Sequence, residues 1–269
     1  MSIRVITLLT DFGIKDYFVG AMKGVILARS PESVLVDITH EIPAHDIHSA
    51  AFTLNAAYAW FPSGSIHLAI VDPGVGSDRR PILLEAAGHL FLGPDNGLFS
   101  LVSDHVPSTQ IRHLTNSAYF QPELSTTFHG RDVFAPVAAS LANGISPEKF
   151  GPIIDDPVRL QPMRFESLPD GSLRGKILHI DHFGNCVTNL PSDLFPARSE
   201  MRPFVLQVKE CTVETLERCY TAGALHPSRP FLIRGSAGFL EISLSSSSAE
   251  RAFGISVADP VRLVWRVSK

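Results

Sequence analysis

The first 165 residues alternate short, β-rich apolar runs with helical patterns, and this alternation limits the possible folds more than any other feature of the chain. Apolar runs at 4–10, 34–39 and 66–71 predict three strands, the third nearly continuous in apolar residues. Such runs are typical of a sheet that helices cover on both faces. The alternation therefore predicts an α/β N-terminal domain, with a central sheet flanked by helices, over residues 1–165.

Helix signals lie between the predicted strands. Asp16 precedes apolar residues spaced by three and four, which predicts a first helix with Asp16 as N-cap and Pro31 as its end. Asp46 predicts the N-cap of a second helix. A third helix is predicted over 132–143, where Gly144 ends it.

The amino-acid composition and the pattern of predicted elements change after residue 150. The stretch 151–175 is rich in proline, glycine and charge, and the predicted linker lies within it at 166–174. Beyond the linker, short strand-like segments are separated by turns, and long helical patterns are absent from the sequence. Residues 175–269 are therefore predicted to form a small all-β, barrel-like domain.

Composition argues against several classes of protein. With 27 acidic and 23 basic residues the net charge is −4, which does not favour nucleic-acid binding. Three cysteines without zinc-like spacing indicate neither a disulfide framework nor a structural metal. No apolar run approaches the ~20 residues of a membrane span, and none resembles a signal-peptide core. The chain is expected to be a soluble cytoplasmic protein, with no membrane or nucleic-acid partner.

Two aspartates stand at the ends of predicted strands. Asp11 ends the first strand and Asp72 ends the third. In open α/β sheets, ligands bind beyond the carboxyl ends of the strands. The pair is therefore a candidate binding site, and the alternative is that each aspartate only caps a turn or a helix.

The segment 71–82, VDPGVGSDRRPI, is the most informative stretch of the sequence. Proline and two glycines build a tight turn in which backbone N–H groups can face a ligand. Arg79 and Arg80 follow seven and eight residues after Asp72, so a returning loop can bring one guanidinium back to the carboxylate. The alternative is a surface hairpin with solvated arginines.

Two other stretches combine chemically useful side chains. His129 lies before a predicted helix start with Asp132 as cap, where it can act as a base, a hydrogen-bond donor or a capping residue. The stretch 181–185, DHFGN, can stack a flat ring and read its edge with an amide, or it can form an ordinary Gly-Asn turn. The histidines near 40–48 and 179–182 match no metal-ligand spacing, so no metal site is expected.

At these residues the sequence resembles the S-adenosylmethionine hydroxide adenosyltransferase family, also called the S-adenosylmethionine hydrolases, whose relatives are the fluorinases and chlorinases. The matching stretches are LLTDFGIKDYFVGAMKG, DITHEIPAHDI, HLAIVDPGVGSDRRPI, GPDNGL, TFHGRD, IDHFGN and SAGFLEI. Several motifs in the right order over nearly the whole chain make the resemblance specific. It implies a homotrimer whose active sites lie between the N-terminal domain of one subunit and the C-terminal β-barrel of the next.

The resemblance also implies a reaction. Water or hydroxide attacks C5′ of the ribose in S-adenosylmethionine and gives adenosine and L-methionine, and no cofactor is expected. The family's catalytic set falls on Asp72, Arg79 and His129. Its substrate-binding positions fall on Asp11, Phe128, Asp181, Phe183, Asn185 and Ser236.

The resemblance implies individual roles for several of these residues. Asp11 matches the ribose-binding aspartate, and Asn185 beside Phe183 matches the asparagine that reads adenine. Asp181 matches the acid near the methionine amino group. The domain at 175–269 is thus expected to contribute the adenine and methionine contacts.

The sequence departs from the fluorinases at the halide pocket. Where the fluorinase has Tyr and Thr in the turn, this chain has Asp72 and Val75, and Gly130 replaces the Ser of the pocket. A carboxylate repels an anion and orients a water molecule. The substitutions favour hydrolysis over halogenation, which is the least favoured hypothesis for this chain.

A second departure concerns the methionine carboxylate. Ala237 stands where the fluorinase has its carboxylate-binding Arg, which leaves Ser236 and Arg234 as candidates. The main alternative function is a non-catalytic adenosine- or S-adenosylmethionine-binding protein. Such a protein would not need the catalytic set, and the joint presence of these three residues favours the enzyme.

Overall fold

The computed structural model describes residues 5–106, 109–161, 164–195, 202–221 and 227–266. The chain divides into two compact units, Met1–Leu160 and Gln161–Lys269. No helix within the described ranges is long and apolar enough to cross a bilayer.

The first unit is built on a six-stranded sheet with the order β2-β1-β3-β5-β4-β6. Neighbours among β2, β1, β3 and β5 run parallel, whereas β4 runs antiparallel to both β5 and β6. The strands are β1 (Val5–Thr10), β2 (Val34–Thr39), β3 (Ile66–Ile70), β4 (Pro81–Ala86), β5 (His89–Pro94) and β6 (Gln110–His113).

Helices pack on both faces of this sheet, because side chains of β3 alternate between two apolar clusters. Ile66, Leu68 and Ile70 belong to the cluster that includes α1 and α4, and Ala69 and Val71 belong to the cluster that includes α2 and α3. The α/β prediction is therefore confirmed. The helices are α1 (Phe18–Arg29), α2 (Ile47–Ala57), α3 (Ser100–His105) and α4 (Ala135–Ala142).

Helix ends were predicted with mixed success. Asp46 caps α2, since its carboxylate accepts a hydrogen bond from the Ser49 N–H at 3.0 Å. The prediction for Asp16 is wrong, because α1 begins after Tyr17 without a side-chain cap. The exposed Asp16 is one residue too far from the first turn to reach its N–H groups.

The third predicted helix begins later than expected. Gly130–Phe134 winds as a π-helical turn, and α4 follows at Ala135 with a proline in its first turn, where a missing N–H costs no bond. Asp132 does not cap the helix. Its carboxylate instead accepts the Ser125 N–H at 2.8 Å and pairs with Arg131.

The described residues of the second unit form a nine-stranded sheet with the order β11-β10-β15-β8-β9-β14-β13-β12, and β7 pairs with β8. The strands are β7 (Glu166–Ser167), β8 (Leu173–Ile180), β9 (Cys186–Pro191), β10 (Phe204–Val208), β11 (Cys211–Val213), β12 (Leu216–Glu217), β13 (Phe231–Arg234), β14 (Phe239–Ser243) and β15 (Pro260–Trp265), with one helix, α5 (Ala249–Phe253).

Strand β8 turns this sheet into a curled half-barrel. Its first half pairs with β15, up to Lys176, and its second half pairs with β9, from Ile177 onward. An apolar core fills the inside of the curl. The barrel-like prediction is confirmed at this level. The segment 166–174 belongs to the second unit, since it carries β7 and the start of β8.

A pair of buried histidines lies inside the first unit. His67 on β3 contacts the Thr7 hydroxyl through Nδ1 at 2.8 Å and His89 through Nε2 at 3.2 Å. Its ring also stacks on Phe91 at a centroid distance of 4.9 Å. Burial, with a smaller contribution from His89, lowers the pKa of His67 to about 3.

We expect this low pKa to make the protein sensitive to acid. The folded pKa lies below the unfolded value of 6.5, so its stabilisation is full above pH 6.5 and is lost as the pH falls toward 3. The loss approaches about 4 kcal/mol across that window. Urea unfolding followed from pH 7 to pH 4.5 measures it.

The His67→Gln variant should show a shallower fall of stability with pH than the wild type. The exposed His48 provides the matched control, since His48→Gln makes the same substitution at a solvent-exposed position of the same unit. Equal pH slopes for the wild type and His67→Gln would contradict the assignment.

Candidate active site

The loop after β3 carries the first candidate residues. A hydrogen bond from the Val75 N–H to the Asp72 carbonyl, at 3.2 Å, closes its turn. Gly76 has φ +80°, and a Cβ atom there would lie 2.3 Å from the Thr126 carbonyl oxygen. Glycine is therefore required for this turn to pack against the segment that leads to His129.

The loop returns so that Arg79 meets Asp72. Arg79 Nε donates to Asp72 Oδ1 at 2.9 Å, and Nη2 contacts Oδ2. The Arg79 side chain is 9% exposed and that of Asp72 is 6% exposed. This is a bidentate, charge-assisted pair, whose two parallel contacts fix the orientation of the guanidinium.

His129 completes a cluster of three side chains. Arg79 Nη2 lies 2.9 Å from His129 Nδ1. An arginine can only donate, so Nδ1 accepts and the proton of the neutral ring sits on Nε2. Burial first and the Arg79 cation second lower the pKa of His129 from its usual 6.5. The ring therefore stays neutral near pH 7, with an N–H at Nε2.

Asp11 lies at the same edge of the sheet. It directly follows β1, whose last residue, Thr10, is in register with Ile70 of β3. Asp11 Oδ2 accepts the His45 N–H at 2.9 Å. His45 has φ +67°, a conformation that non-glycine residues seldom adopt, and such strain is often found at functional sites. Oδ1 makes no hydrogen bond within the described part of the chain.

Phe128 is packed rather than open. Its ring centroid lies 5.1 Å from that of Phe18 and 6.2 Å from that of Phe12, and Arg131 lies over the ring at 5.1 Å. The residue is 6% exposed. Phe128 therefore forms an apolar wall directly before His129, with little free surface for stacking.

The second unit carries a cavity of about 830 Å³. Three of the predicted substrate-binding residues, Asp181, Phe183 and Asn185, line it, and Phe183 is 74% exposed. A flat aromatic face open to a cavity can stack on a planar ligand. The other lining residues are His182, Gly184, Tyr220, Leu244, Ser246, Ser247, Ser248, Glu250 and Arg251.

Asp181 holds the turn that presents these residues. Its Oδ1 accepts the N–H groups of Phe183 and Asn185 at 2.9 Å each, and its Oδ2 accepts Asn185 Nδ2 at 2.8 Å. Gly184 has φ +82°, and a Cβ atom there would lie 2.1 Å from Ser248 Oγ. The amide nitrogen of Asn185 thus donates within the turn, whereas its Oδ1 accepts no hydrogen bond from the residues that the structure describes.

The candidates for the methionine carboxylate are not among the residues that line this cavity. Ser236 is exposed in the turn after β13, and Arg234 Nη2 donates to the Phe195 carbonyl at 2.5 Å. The buried acid of this region is Glu241, which accepts the Tyr220 hydroxyl at 3.0 Å. Burial raises the pKa of Glu241 above its usual 4.5.

Several lining residues escaped the sequence reasoning. Tyr220, Glu250 and Arg251 belong to no recognisable motif. The serine tract at 245–248 was the signal that the sequence offered for this part of the cavity. In the structure, Ser246 has φ +54° and Ser248 caps α5. Serines with such backbone conformations mark a turn that offers polar groups.

Within the described ranges, no three or more His, Cys, Asp or Glu side chains are grouped so that they could hold a metal ion.

The fold and the site define a class of two-domain protein, in which an α/β domain carries an Asp–Arg–His cluster at its strand ends and a curled β domain carries an aromatic-lined cavity. Residues 6–151 match the family model of the SAM hydroxide adenosyltransferase N-terminal domain, and residues 175–262 match that of its C-terminal domain.

The chain belongs to the S-adenosylmethionine (SAM) hydroxide adenosyltransferase family. It is 36% identical to the (R)-S-adenosyl-L-methionine hydrolase of Thermus thermophilus, over 97% of this chain and 100% of that protein. It is 32% identical to the protein of the same name from Methanocaldococcus jannaschii, over 97% and 96%. A crystal structure of an uncharacterized conserved protein from Thermotoga maritima matches with a TM-score of 0.87 and 31% identity, over 96% of this chain and 100% of that one.

Proposed function

We propose that this protein hydrolyses SAM to adenosine and L-methionine. A water oxygen bonds to ribose C5′, the C5′–S bond breaks, and its electron pair goes to sulfur, which becomes the neutral thioether of methionine. The water gives up one proton in the process. The contact of Asp72, Arg79 and His129 at the strand ends is the observation that carries the proposal.

The chemistry needs little from the protein beyond positioning. The leaving group departs from a sulfonium cation as a neutral molecule, so no acid has to protonate it. What remains is to hold a weak nucleophile in line with the C5′–S bond and to favour its ionised form. A buried cation that is fixed by a carboxylate suits this task.

Each member of the cluster has a distinct role in the proposal. His129 Nε2–H donates to the attacking oxygen, because Nδ1 is already occupied by Arg79. The Arg79 cation stabilises hydroxide, and its Nη1 is buried without a hydrogen-bond partner among the described residues. Asp72 fixes the guanidinium. With both His129 nitrogens engaged as donor and acceptor, the proton leaves to solvent rather than to the imidazole.

The substrate's nucleoside has separate binding groups. Asp11, with Oδ1 available, accepts from the ribose hydroxyls. Phe183 stacks on adenine, and Asn185 Oδ1 accepts from the ring edge. Ser236 is the proposed contact of the methionine carboxylate, although it lies outside the cavity lining.

A homotrimer is also proposed. The water-positioning residues belong to the first unit and the ring-binding residues to the second. This division supports active sites made by the first unit of one subunit and the second unit of the next. The molar mass of the purified protein, measured by light scattering, tests the trimer. Cys186 and Cys211 are buried thiols that form no disulfide within the described residues, which supports a reducing cytoplasmic compartment.

The names of the relatives suggest the stereochemistry of the substrate. Both curated relatives are (R)-S-adenosyl-L-methionine hydrolases. We propose that this protein also acts on the (R) epimer of SAM. Incubation with each purified sulfonium epimer tests this part of the proposal, and faster turnover of the (S) epimer would contradict it.

One incubation separates the candidate functions. Purified protein is incubated with SAM in ¹⁸O-water, with and without chloride or fluoride. The products are separated by chromatography, and their masses are measured by mass spectrometry. Equal amounts of methionine and adenosine, with ¹⁸O in the adenosine, support hydrolysis at C5′. A 5′-halogenated nucleoside would identify halogenation. Binding without any product would identify a non-catalytic binding protein.

A further inference from the structure

The motif GPDNGL at 93–98 plays no part in the proposed mechanism, yet it meets both ends of the loop that carries Asp72 and Arg79. The motif begins in the last two residues of β5, which lies between β3 and β4 in the sheet. Strand β3 leads into the loop and β4 leads out of it. The motif is therefore placed where it can hold the entry and the exit of the loop together.

Asn96 holds the entry. Its Nδ2 donates to the Val71 carbonyl at 2.8 Å, one residue before Asp72. Its Oδ1 accepts the Leu98 N–H at 3.2 Å, which orients the amide. A side-chain amide with both ends engaged has one orientation, so the Val71 carbonyl and the peptide that follows it are fixed.

Asp95 holds the exit. Its backbone N–H donates to the Arg80 carbonyl at 2.9 Å, and its Oδ2 accepts Arg80 Nε at 2.8 Å. Its Oδ1 accepts the Val158 N–H at 2.9 Å. The residue is 4% exposed, so its buried carboxylate and its backbone N–H together hold Arg80, the residue after Arg79.

We propose that Asp95 and Asn96 are positioning residues for SAM hydrolysis, which clamp Val71 and Arg80 so that the guanidinium between them reaches both Asp72 and His129. This inference rests on the proposed function. A misplacement of about 1 Å in a positioning group can lower a rate by about 10²-fold. Asp95 and Asn96 hold the two residues that flank the segment from Asp72 to Arg79, so they control the distance between the Arg79 guanidinium and His129.

Steady-state kinetics of Asn96→Ala and Asp95→Asn test the clamp. We expect kcat to fall about 10- to 100-fold in each variant, with KM changed by less than about threefold, because nucleoside-binding groups lie elsewhere. Asp104→Asn is the matched control. It removes the exposed Asp104–Arg159 ion pair of the same unit, and its kcat should equal that of the wild type.

A second measurement distinguishes positioning from a general loss of stability. Burial and the Arg79 cation lower the pKa of His129. When Arg79 moves away from His129, that pKa should therefore rise in both variants. An NMR titration of the protein without substrate measures it. Removing the Asp95 charge would by itself lower that pKa, so a rise in Asp95→Asn reports the lost Arg79 contact. Asp95→Asn keeps the shape of the side chain, and it remains as the test variant if Asn96→Ala fails to fold.

The outcomes are separable. A kcat within twofold of the wild type in Asp95→Asn would overturn the clamp, and so would a reduced kcat with an unchanged His129 pKa in Asn96→Ala, where no charge is removed. Wild-type protein that makes no adenosine would instead overturn the proposed function. In that case the NMR measurement still decides whether Asp95 and Asn96 position Arg79.

Discussion

Asp72→Asn is expected to lower kcat for SAM hydrolysis by about 10²- to 10⁴-fold, and Asp72→Ala and His129→Ala should do the same. In Asp72→Asn the amide oxygen can accept only one of the two hydrogen bonds from Arg79 and the charge is lost, and in Asp72→Ala both hydrogen bonds are lost. A free arginine no longer points at His129, so the nucleophile loses the cation and the aligned imidazole together. The expected signature is a reduced kcat with the affinity for adenosine retained.

The control for this prediction lies in the same loop. Asp78 is exposed, and Asp78→Asn removes the same charge a single residue from Arg79. It should leave kcat within about twofold of the wild type, as is usual for a surface charge. Near-normal turnover in both Asp72→Asn and His129→Ala would show that the cluster does not carry the reaction.

Asp11→Ala is expected to weaken adenosine binding by about 10- to 100-fold. A charged acceptor contributes about 1.5–3 kcal/mol to each hydrogen bond it receives, and about 1.4 kcal/mol corresponds to a factor of ten in Kd. The loss should appear in KM for SAM more than in kcat, because Asp11 is expected to touch the ribose hydroxyls and not the attacking oxygen. Isothermal calorimetry with adenosine measures the affinity directly.

Asp16→Asn is the matched control for Asp11. Asp16 is an exposed carboxylate in the same segment, before α1, and its removal should not change the calorimetric affinity. An Asp11→Asn variant keeps the bond from the His45 N–H through its amide oxygen, so it separates loss of charge from collapse of the loop. Unchanged adenosine affinity in both Asp11 variants would rule out the ribose role.

Much of the fold was predictable because it depends on local patterns. The strand at 34–39 and the cap at Asp46 follow from side-chain type and spacing alone. The start of α4 was not predictable in the same way. Asp132 has the side chain of a cap, yet it pairs with the neighbouring Arg131 and accepts the Ser125 N–H, and the pattern of residue types does not predict that choice of partners.

The second unit illustrates the same limit. The stretch 181–185 allowed either an ordinary turn or a ring-binding site, and the structure contains features of both. The carboxylate oxygens of Asp181 accept hydrogen bonds within the turn, and that turn leaves Phe183 exposed to the cavity. Tyr220 and the serines join the cavity from segments distant in sequence, where no local signal relates them to Phe183.

The sequence by itself determined the α/β and β classes of the two domains, the polar residues at the strand ends and the family, because periodicity, strand ends and ordered motifs are properties of the chain read in order. The resemblance implied the role of Arg79, and only the tertiary structure decided how the two adjacent arginines pair with carboxylates. Arg79 turns to Asp72, and Arg80 turns to Asp95. Successive side chains of an extended segment point to opposite sides, and the pairing of β4 with β5 determines which side faces the site.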